Sequence, residues 1–374
     1  MSAGRVIRVL HIARYRSAAA ERKLELLAAE RDLKLFLVRP AVWEDEYGRV
    51  QLRPQVPGCQ VLTVPMVGRP ADPHRALYRT LTFGIQAAKP DVIHAEEEPD
   101  SLAALQVALA RNIFAPRARL VLHTWQNVNR PKRPHVRAVI RLAFGQAQAV
   151  LCATDEALRV LRELGYRGPS AVILPTGVDT RLFRPASRPL PEGSFTVGYA
   201  GRLAPKKGVD TLLDALSRLP AGVRLRVVGD GPARPQLQEL AGRLGVGNRV
   251  EWGPPLPADR MVEAFAGFDV LVLPSRTTRV WKEQFGRVLV EAMACKVPVV
   301  GSDSGAIPEV IGDAGLVFPE GDAEALAACL RRLVESPGLR RELAERGYAR
   351  AVALYSQERV AAQTAAFYRR LLDL

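Results

Sequence analysis

Short apolar runs alternate with longer amphipathic stretches along the whole chain. The runs predict strands over 5–12, 33–38, 60–64, 91–95, 119–124, 149–152 and 171–174. In the second half they predict strands over 195–200, 223–228, 249–252, 269–273, 297–300 and 315–318. Between them the apolar positions recur at helical spacing. This predicts helices over 18–30, 72–88, 100–111, 134–146 and 154–163, then 208–218, 233–244, 258–266, 286–295, 322–335, 337–353 and 356–372. Strands and helices that alternate in this way build parallel sheets covered on both faces. The fold class is therefore α/β, with two doubly wound Rossmann-like domains facing across a cleft.

Residues 184–194 (RPASRPLPEGS) collect Pro, Ser and Gly, the composition of a linker. They set expected domains of 1–185 and 186–355. In doubly wound sheets ligands sit beyond the carboxyl ends of the strands. The segments that follow each strand are thus where chemistry is expected.

Composition narrows the class. Of 374 residues, 48% are hydrophobic and 25% charged, a globular balance in which each half buries its own core. The four cysteines, Cys59, Cys152, Cys295 and Cys329, form no C-x-x-C pair and have no His cluster beside them. They read as reduced core residues of a cytosolic protein. The N-terminal run is too short and interrupted for a signal peptide, and no stretch is long and apolar enough to span a membrane. The expected location is cytoplasmic.

The net charge is +14, and it is lopsided. Residues 1–185 carry 28 Lys/Arg against 17 Asp/Glu, and the remainder 25 against 22. A one-sided field suits an anionic partner, such as nucleic acid, a membrane surface or a phosphorylated substrate; a solvated Arg-rich surface is the bland alternative. No nucleic-acid motif or interleaving of aromatic and basic residues is present, so nucleic acid is not an expected partner. Residues 130–146 (RPKRPHVRAVIRLAFGQ) begin basic and become amphipathic. That suits peripheral contact with an anionic membrane, or equally a core helix with a basic edge.

Three segments of the second half carry chemistry. In Gly198-Tyr-Ala-Gly-Arg202-Leu-Ala-Pro-Lys-Lys207-Gly208 a strand runs into a loop with an Arg and two Lys. Arg202 can grip phosphate oxygens with its planar fork, and Lys207 adds a point charge. In Glu283-Gln-Phe-Gly286-Arg-Val-Leu-Val-Glu291 a helix starting at Gly286 would aim the amides of about Gly286 to Leu289 at an anion. Glu283 would stand before that helix as a hydroxyl acceptor. Glu291, alone on an apolar helix, would be a satisfied carboxylate placed to hold a diol. Two Glu at this spacing are also common on solvated helices. Third, Gly229-Asp230-Gly231, Gly253-Pro-Pro and Gly301-Ser-Asp-Ser-Gly305 each follow a strand and together suggest one rim where backbone approaches a ligand.

In the basic half His94 and His123 end strands, a position as often structural as functional. Thr124-Trp125-Gln-Asn127 is a polar, aromatic loop suited to sugar or headgroups. Glu96-Glu-Glu98 reads as a solvated turn, with hydroxyl or amine binding as the alternative.

Taken together, PTGVDTRLFRP (175–185), YAGRLAPKKG (199–208), VVGDGP (227–232) and EQFGRVLVEAMACKVPVVGSDSGAIPEVI (283–311), with the closing YSQERVAAQTAAFYRRLL, resemble family 4 (group 1) glycosyltransferases of the GT-B fold. The resemblance is dense over 171–322 and thinner over 5–170. It implies an N-terminal acceptor domain, with the final helix packed back on it, and a C-terminal domain for a nucleotide-sugar donor. It implies a retaining transfer with no metal and no resident cofactor, to a glycan, lipid-linked or small acceptor. Carried over by position, Arg202 and Lys207 neutralise the diphosphate, and Gly286, Arg287, Val288 and Leu289 hold the distal phosphate. Phe285, Gly229 and Asp230 line the donor site. Glu283 meets sugar hydroxyls, Glu291 the ribose, and His123 the sugar near the reacting carbon. Arg14, Arg16, His94, Trp125 and Asn127 are acceptor-side candidates. The chain departs from the family pattern after the first strand, where His11-Ile-Ala-Arg-Tyr-Arg16-Ser lacks a glycine pair and Arg14 or Arg16 would take the anion contact. It departs again at Arg287, and in the basic loop RTTRVWK with Trp281. A sugar-nucleotide epimerase or a non-catalytic nucleotide-sugar binder on the same fold are the alternatives. Nucleotide base, sugar, acceptor and oligomeric state are not encoded in any recognisable motif.

Overall fold

A computed structural model of the chain describes residues 5–15, 18–45, 48–68, 72, 74–186 and 195–373. It divides into two units, Met1–Gly177 with Gln357–Leu374, and Val178–Ser356. The first holds a seven-stranded parallel sheet: β1 (Ile7–Ile12), β2 (Leu33–Arg39), β3 (Cys59–Thr63), β4 (Val92–Ala95), β5 (Arg119–Thr124), β6 (Ala149–Cys152) and β7 (Ser170–Val172). Their spatial order is β3-β2-β1-β4-β5-β6-β7. The second holds β8 (Phe195–Ala200), β9 (Val223–Val228), β10 (Val250–Gly253), β11 (Val270–Leu273), β12 (Val299–Ser302) and β13 (Gly315–Phe318), ordered β10-β9-β8-β11-β12-β13. Each sheet starts in the middle, winds to one edge and returns to fill the other side. The order therefore reverses between β1 and β4, and between β8 and β11. At such a switch point the loops diverge and leave a crevice.

Burial follows the pattern of the strands. β6 and β11 are buried at every position, as strands covered on both faces must be, whereas the edge strand β3 alternates with exposed residues. Several helices begin where a side chain caps them: Ser101 accepts from the Ala104 amide at 3.0 Å, Thr154 from Ala157 at 3.2 Å and Asp322 from Ala325 at 2.9 Å. Of the cysteines, Cys152 and Cys295 are buried, while Cys59 and Cys329 are half-buried; all four are free thiols.

Three expectations need correction. The helix expected over 72–88 spans only Leu81–Ala88. Before it, Ala76–Tyr78 pairs antiparallel with Met66–Gly68. Gln106 takes both the amide and the carbonyl of Tyr78, at 2.9 and 2.6 Å, and the fully buried Tyr78 hydroxyl donates to Glu97 at 2.6 Å. A tertiary contact thus overrides local helical spacing. The helix expected over 337–353 ends at Arg350, whose guanidinium turns to the carbonyls of Val310 and Glu309 at 2.9 and 2.8 Å. A wider turn, Ala351–Tyr355, follows.

The division falls at Gly177/Val178 rather than 185/186. The Val178 amide donates to Tyr355 O at 2.8 Å, and the Phe183 ring packs 6.2 Å from that of Phe265, which ties 178–186 to the second unit. Most of the linker expected at 184–194 lies outside the described residues. The last helix, Gln357–Leu371, belongs to the first unit. It packs on the helix Ala18–Ala28. Its Arg369 forks onto Asp32 at 2.7 and 2.8 Å, and Gln357 bonds Thr176 at 2.8 Å.

Candidate functional site

In the second unit the loops after β8 and β11 meet at the switch point. Lys207 follows β8 and Glu283 follows β11, and Lys207 Nζ lies 2.7 Å from Glu283 Oε2. Ser275 Oγ donates to the same oxygen at 2.7 Å. Gly208, with φ 65°, makes this approach possible: a Cβ there would stand 1.9 Å from the Pro274 carbonyl oxygen. The Trp281 ring lies 4.4 Å from Lys206 Nζ and 4.8 Å from Lys207 Nζ, within cation–π range of both. Arg202 and Lys207 are half-buried in the same loop, and Glu283 is buried.

Behind Glu283 the chain turns at Gly286, φ 78°, and enters the helix Arg287–Ala294. Sequence reasoning aimed four amides, Gly286 to Leu289, at an anion. The Leu289 amide is instead spent on the Gly286 carbonyl at 2.9 Å, because the first turn closes on itself. Among the described residues, the amides of Arg287 and Val288 have no backbone acceptor. The Phe285 side chain, expected on the donor side, is buried edge-on against Tyr355, with centroids 5.4 Å apart. Glu291 is half-buried, and no hydrogen bond to its carboxyl is present among the described residues, against the expectation of a satisfied carboxylate. Burial pushes its carboxyl up to about 7, against the pull of Arg287. Gly229 is buried and Asp230 exposed, with Asp230 Oδ1 accepting from the Gly231 amide at 2.8 Å.

The switch point of the first unit holds a second polar cluster. His11 and His94 are cross-strand partners on β1 and β4, and His123 stands one same-face position beyond the β5 partner of His94. Glu96 Oε1 receives Lys23 Nζ at 2.8 Å, lies 3.0 Å from His11 Nε2, and accepts the Tyr15 hydroxyl. His94 reaches Tyr368 Oη at 2.7 Å and His123 Nδ1 at 3.3 Å. His11, His94 and Lys23 are wholly buried. Burial lowers the pKa of His11, holds His94 well below its usual value and pushes His123 down to about 3; Glu96 and the Ile173 carbonyl oppose the shift at His123. All three rings are neutral at pH 7. His11, His94 and Glu96 bring ligand atoms within 4.8 Å of one another, the spacing of a metal site. Lys23, His11 and Tyr15 all converge on Glu96 Oε1.

Glu96-Glu-Glu98 is therefore no solvated turn. Glu97 pairs with Arg14 and Tyr78. Glu98 accepts from Thr124 Oγ1 at 2.6 Å and from the Trp125 amide at 2.7 Å, and burial pushes its carboxyl up to about 7. The amine that Glu96 binds is the chain's own Lys23. Arg14 lies beneath Trp43, 4.5 Å from the ring, with its charge matched by Glu97. The guanidinium expected to contact an anion is thus held by an acid of the same chain. Arg16 lies outside the described residues. Asn127 is buried, with its amide 3.2 Å from Glu156, and Trp125 is half-buried.

Two family profiles together cover most of the chain. Residues 181–350 match "Glycosyl transferases group 1" and residues 26–182 match "Glycosyltransferase Family 4". The chain belongs to the group 1, family 4 glycosyltransferases. Among related proteins of this glycosyltransferase family, "MMP alpha-(1->4)-mannosyltransferase" of Mycolicibacterium hassiacum is 35% identical over 62% of this chain. "D-inositol 3-phosphate glycosyltransferase" of Streptomyces bingchenggensis is 31% identical over 60% of it. The chain spans about half the length of these relatives, 56% and 53%. Among solved structures, sucrose-phosphate synthase of Thermosynechococcus elongatus superposes with a TM-score of 0.75 at 22% identity, covering 98% of this chain and 99% of that one. Anabaena Alr3699/HepE, solved with UDP, gives 0.73 at 22% identity, covering 97% and 100%. The fold of this glycosyltransferase-family chain is thus GT-B, two parallel-sheet α/β domains.

Sequence reasoning missed Ser275, Lys23, Tyr15 and Tyr368 as partners of the two clusters. Ser275 had a usable signal, since it follows a strand directly in VLVLPS. His11 ends a strand as His94 and His123 do. Lys23 and Tyr368 lie on helices whose apolar spacing gives no hint of a polar contact.

Proposed function

We propose that the chain is a retaining glycosyltransferase that moves a sugar from a nucleoside-diphosphate sugar to a hydroxyl of a glycan, lipid-linked or small acceptor, without a metal ion. One observation carries the reading. At the switch point of the second unit, a cation, a carboxylate and an open helix end converge on one rim. Arg202 and Lys207 take the diphosphate, and the amides of Arg287 and Val288 take its distal phosphate. Glu283 receives sugar hydroxyls and Glu291 the ribose diol. Gly229 and Asp230 lie on the nucleoside side. His123 is assigned a sugar hydroxyl. The relatives named for mannosyl and inositol-phosphate glycosyl transfer support sugar transfer, and HepE with UDP supports the donor class.

In the proposed step the acceptor oxygen bonds to the anomeric carbon on the face that the diphosphate leaves. The carbon–oxygen bond to phosphate breaks, its electron pair stays with the phosphate oxygen, and that oxygen takes the acceptor proton. Negative charge grows on the leaving diphosphate, where fixed cations and amide dipoles stabilise it most. The test is a thermal-shift panel with UDP, GDP, ADP, TDP and CDP. A diphosphate at about 100 times its Kd adds roughly 2.7 kcal/mol to the folded state. A selective shift supports the reading; a folded sample that shifts with none of them refutes it.

A cytoplasmic location with peripheral contact to an anionic membrane goes with this proposal. A concavity of about 760 Å³ beside the helix Pro134–Gln146 is lined by Arg130, Lys132, Arg137 and Arg141 next to Ile140 and Phe144. Among the described residues no helix is long and apolar enough to cross a membrane. Co-sedimentation with phosphatidylglycerol vesicles but not phosphatidylcholine vesicles supports the contact; equal recovery with both removes it.

A further inference from the structure

Tyr368, His94 and His123 form a line of buried rings within the first unit. Tyr368 Oη lies 2.7 Å from His94 Nδ1, and His94 Nε2 lies 3.3 Å from His123 Nδ1. The two imidazole planes are 11° apart. Tyr368 and His94 are wholly buried, and His123 is 3% exposed. His123 Nε2, at the far end, is buried with no hydrogen-bond partner among the described residues.

Each neutral imidazole has one N–H and one bare nitrogen, so the protons along this line have two possible orders. In one order they point toward Tyr368. His123 Nδ1–H donates to His94 Nε2, and His94 Nδ1–H donates to the Tyr368 oxygen. The Tyr368 proton then has no acceptor among the described residues, and a buried donor without an acceptor bears its full desolvation cost. In the other order the Tyr368 hydroxyl donates to His94 Nδ1, His94 Nε2–H donates to His123 Nδ1, and His123 is left with Nε2–H. Here one buried group goes unmet, His123 Nε2–H, whereas the first order leaves two, the Tyr368 proton and the bare His123 Nε2.

We infer that Tyr368, on the last helix, is a positioning residue: through His94 it fixes His123 as a neutral Nε2–H donor rather than a base. The inference rests on the assignment of His123 to a sugar hydroxyl. It deepens that assignment, because such a donor binds an oxygen lone pair and takes up no proton. It also gives the last helix a task in the first unit beyond packing.

The test is the nitrogen spectrum of the full chain with ¹⁵N-labelled histidine. The five histidines are few enough to resolve. The signals of His94 and His123 are assigned by their loss in His94→Gln and His123→Gln. Both rings are expected as the Nε2–H tautomer in the unaltered protein. In Tyr368→Phe, which keeps the ring and removes the hydroxyl, His94 and His123 are expected to shift to mixed or Nδ1–H forms. An Nδ1–H His123 in the unaltered protein overturns the inference. So does a folded Tyr368→Phe whose two rings are unchanged. If that variant does not fold, the spectrum of the unaltered protein still decides the direction of the line. The spectrum is read without ligand, so a failed diphosphate panel and a failed tautomer assignment remain distinct results.

Discussion

Lys207 and Glu283 lie 76 residues apart in the chain and 2.7 Å apart in space. Their meeting follows from sheet order: β8 and β11 are neighbours, so the loop after one reaches the loop after the other. A hydrogen bond between charged groups contributes about 1.5–3 kcal/mol, roughly 10- to 100-fold in an equilibrium constant. Lys207→Met is expected to weaken nucleoside-diphosphate binding by about that factor, measured by calorimetry. Glu283→Gln keeps the shape and should leave diphosphate affinity within a few-fold while lowering turnover. An affinity that survives Lys207→Met would remove the cation from the phosphate role.

Gly286 is the hinge of the rim. A Cβ there would come within 2.9 Å of Leu273 Cδ2 and 3.0 Å of Leu289 Cδ1, on a backbone with φ 78°. Gly286→Ala is expected to cost about 1–3 kcal/mol of stability, from backbone strain and crowding together. Chemical denaturation checks this. A stability within 0.5 kcal/mol of the original, a threshold typical of neutral surface changes at roughly ±0.5 kcal/mol, would mean that the turn relaxes freely.

Glu291 gives the site a pH dependence. Burial raises its carboxyl from 4.5 to about 7, so the native state keeps a proton that the unfolded chain has released. Between these values each rise in pH costs stability, because the native state binds more protons than the unfolded one. Diol binding has the opposite sign, since the ionised carboxylate is the better acceptor. Diphosphate affinity should therefore increase from pH 6 to pH 8 as Glu291 ionises at about 7. Glu291→Gln should flatten that increase. A slope unchanged by the substitution would assign the titration elsewhere.

Arg39 is a buried cation that depends on one buried partner. Its side chain and that of Glu21 are each 1% exposed and ion-paired, and Arg39 also donates to the Arg53 carbonyl. Removing one member of such a pair strands the other, at about 3–5 kcal/mol. Glu21→Ala is expected to lower stability by that amount, whereas Glu21→Ala with Arg39→Met should recover much of it. Urea unfolding of these two variants and of Arg39→Met alone decides the matter; an additive double variant would show that the two charges are not coupled.

The sequence by itself determined the elements of both sheets. Apolar runs such as VLVL at 270–273 and AVLC at 149–152 are buried at every position, so hydropathy alone places them within a residue or two. It also determined the basic loop, the pair Glu283 and Glu291, and the helix that begins after Gly286, because glycine, charge and helical period are local properties. It read a helix over 72–88 where Ala76–Tyr78 instead pairs with Met66–Gly68, because Gln106 holds the Tyr78 backbone from another helix. It read Glu96-Glu-Glu98 as solvated because their partners lie far away along the chain: His11 is 85 residues from Glu96, and Lys23 is 73. Only tertiary structure decided which strand ends are neighbours, and so which polar groups meet. Parallel strands are joined by long crossovers, so their order in the sheet leaves no local mark on the chain. That order puts His11 beside His94, brings Lys207 to Glu283, and lets a tyrosine on the last helix reach a histidine 274 residues before it.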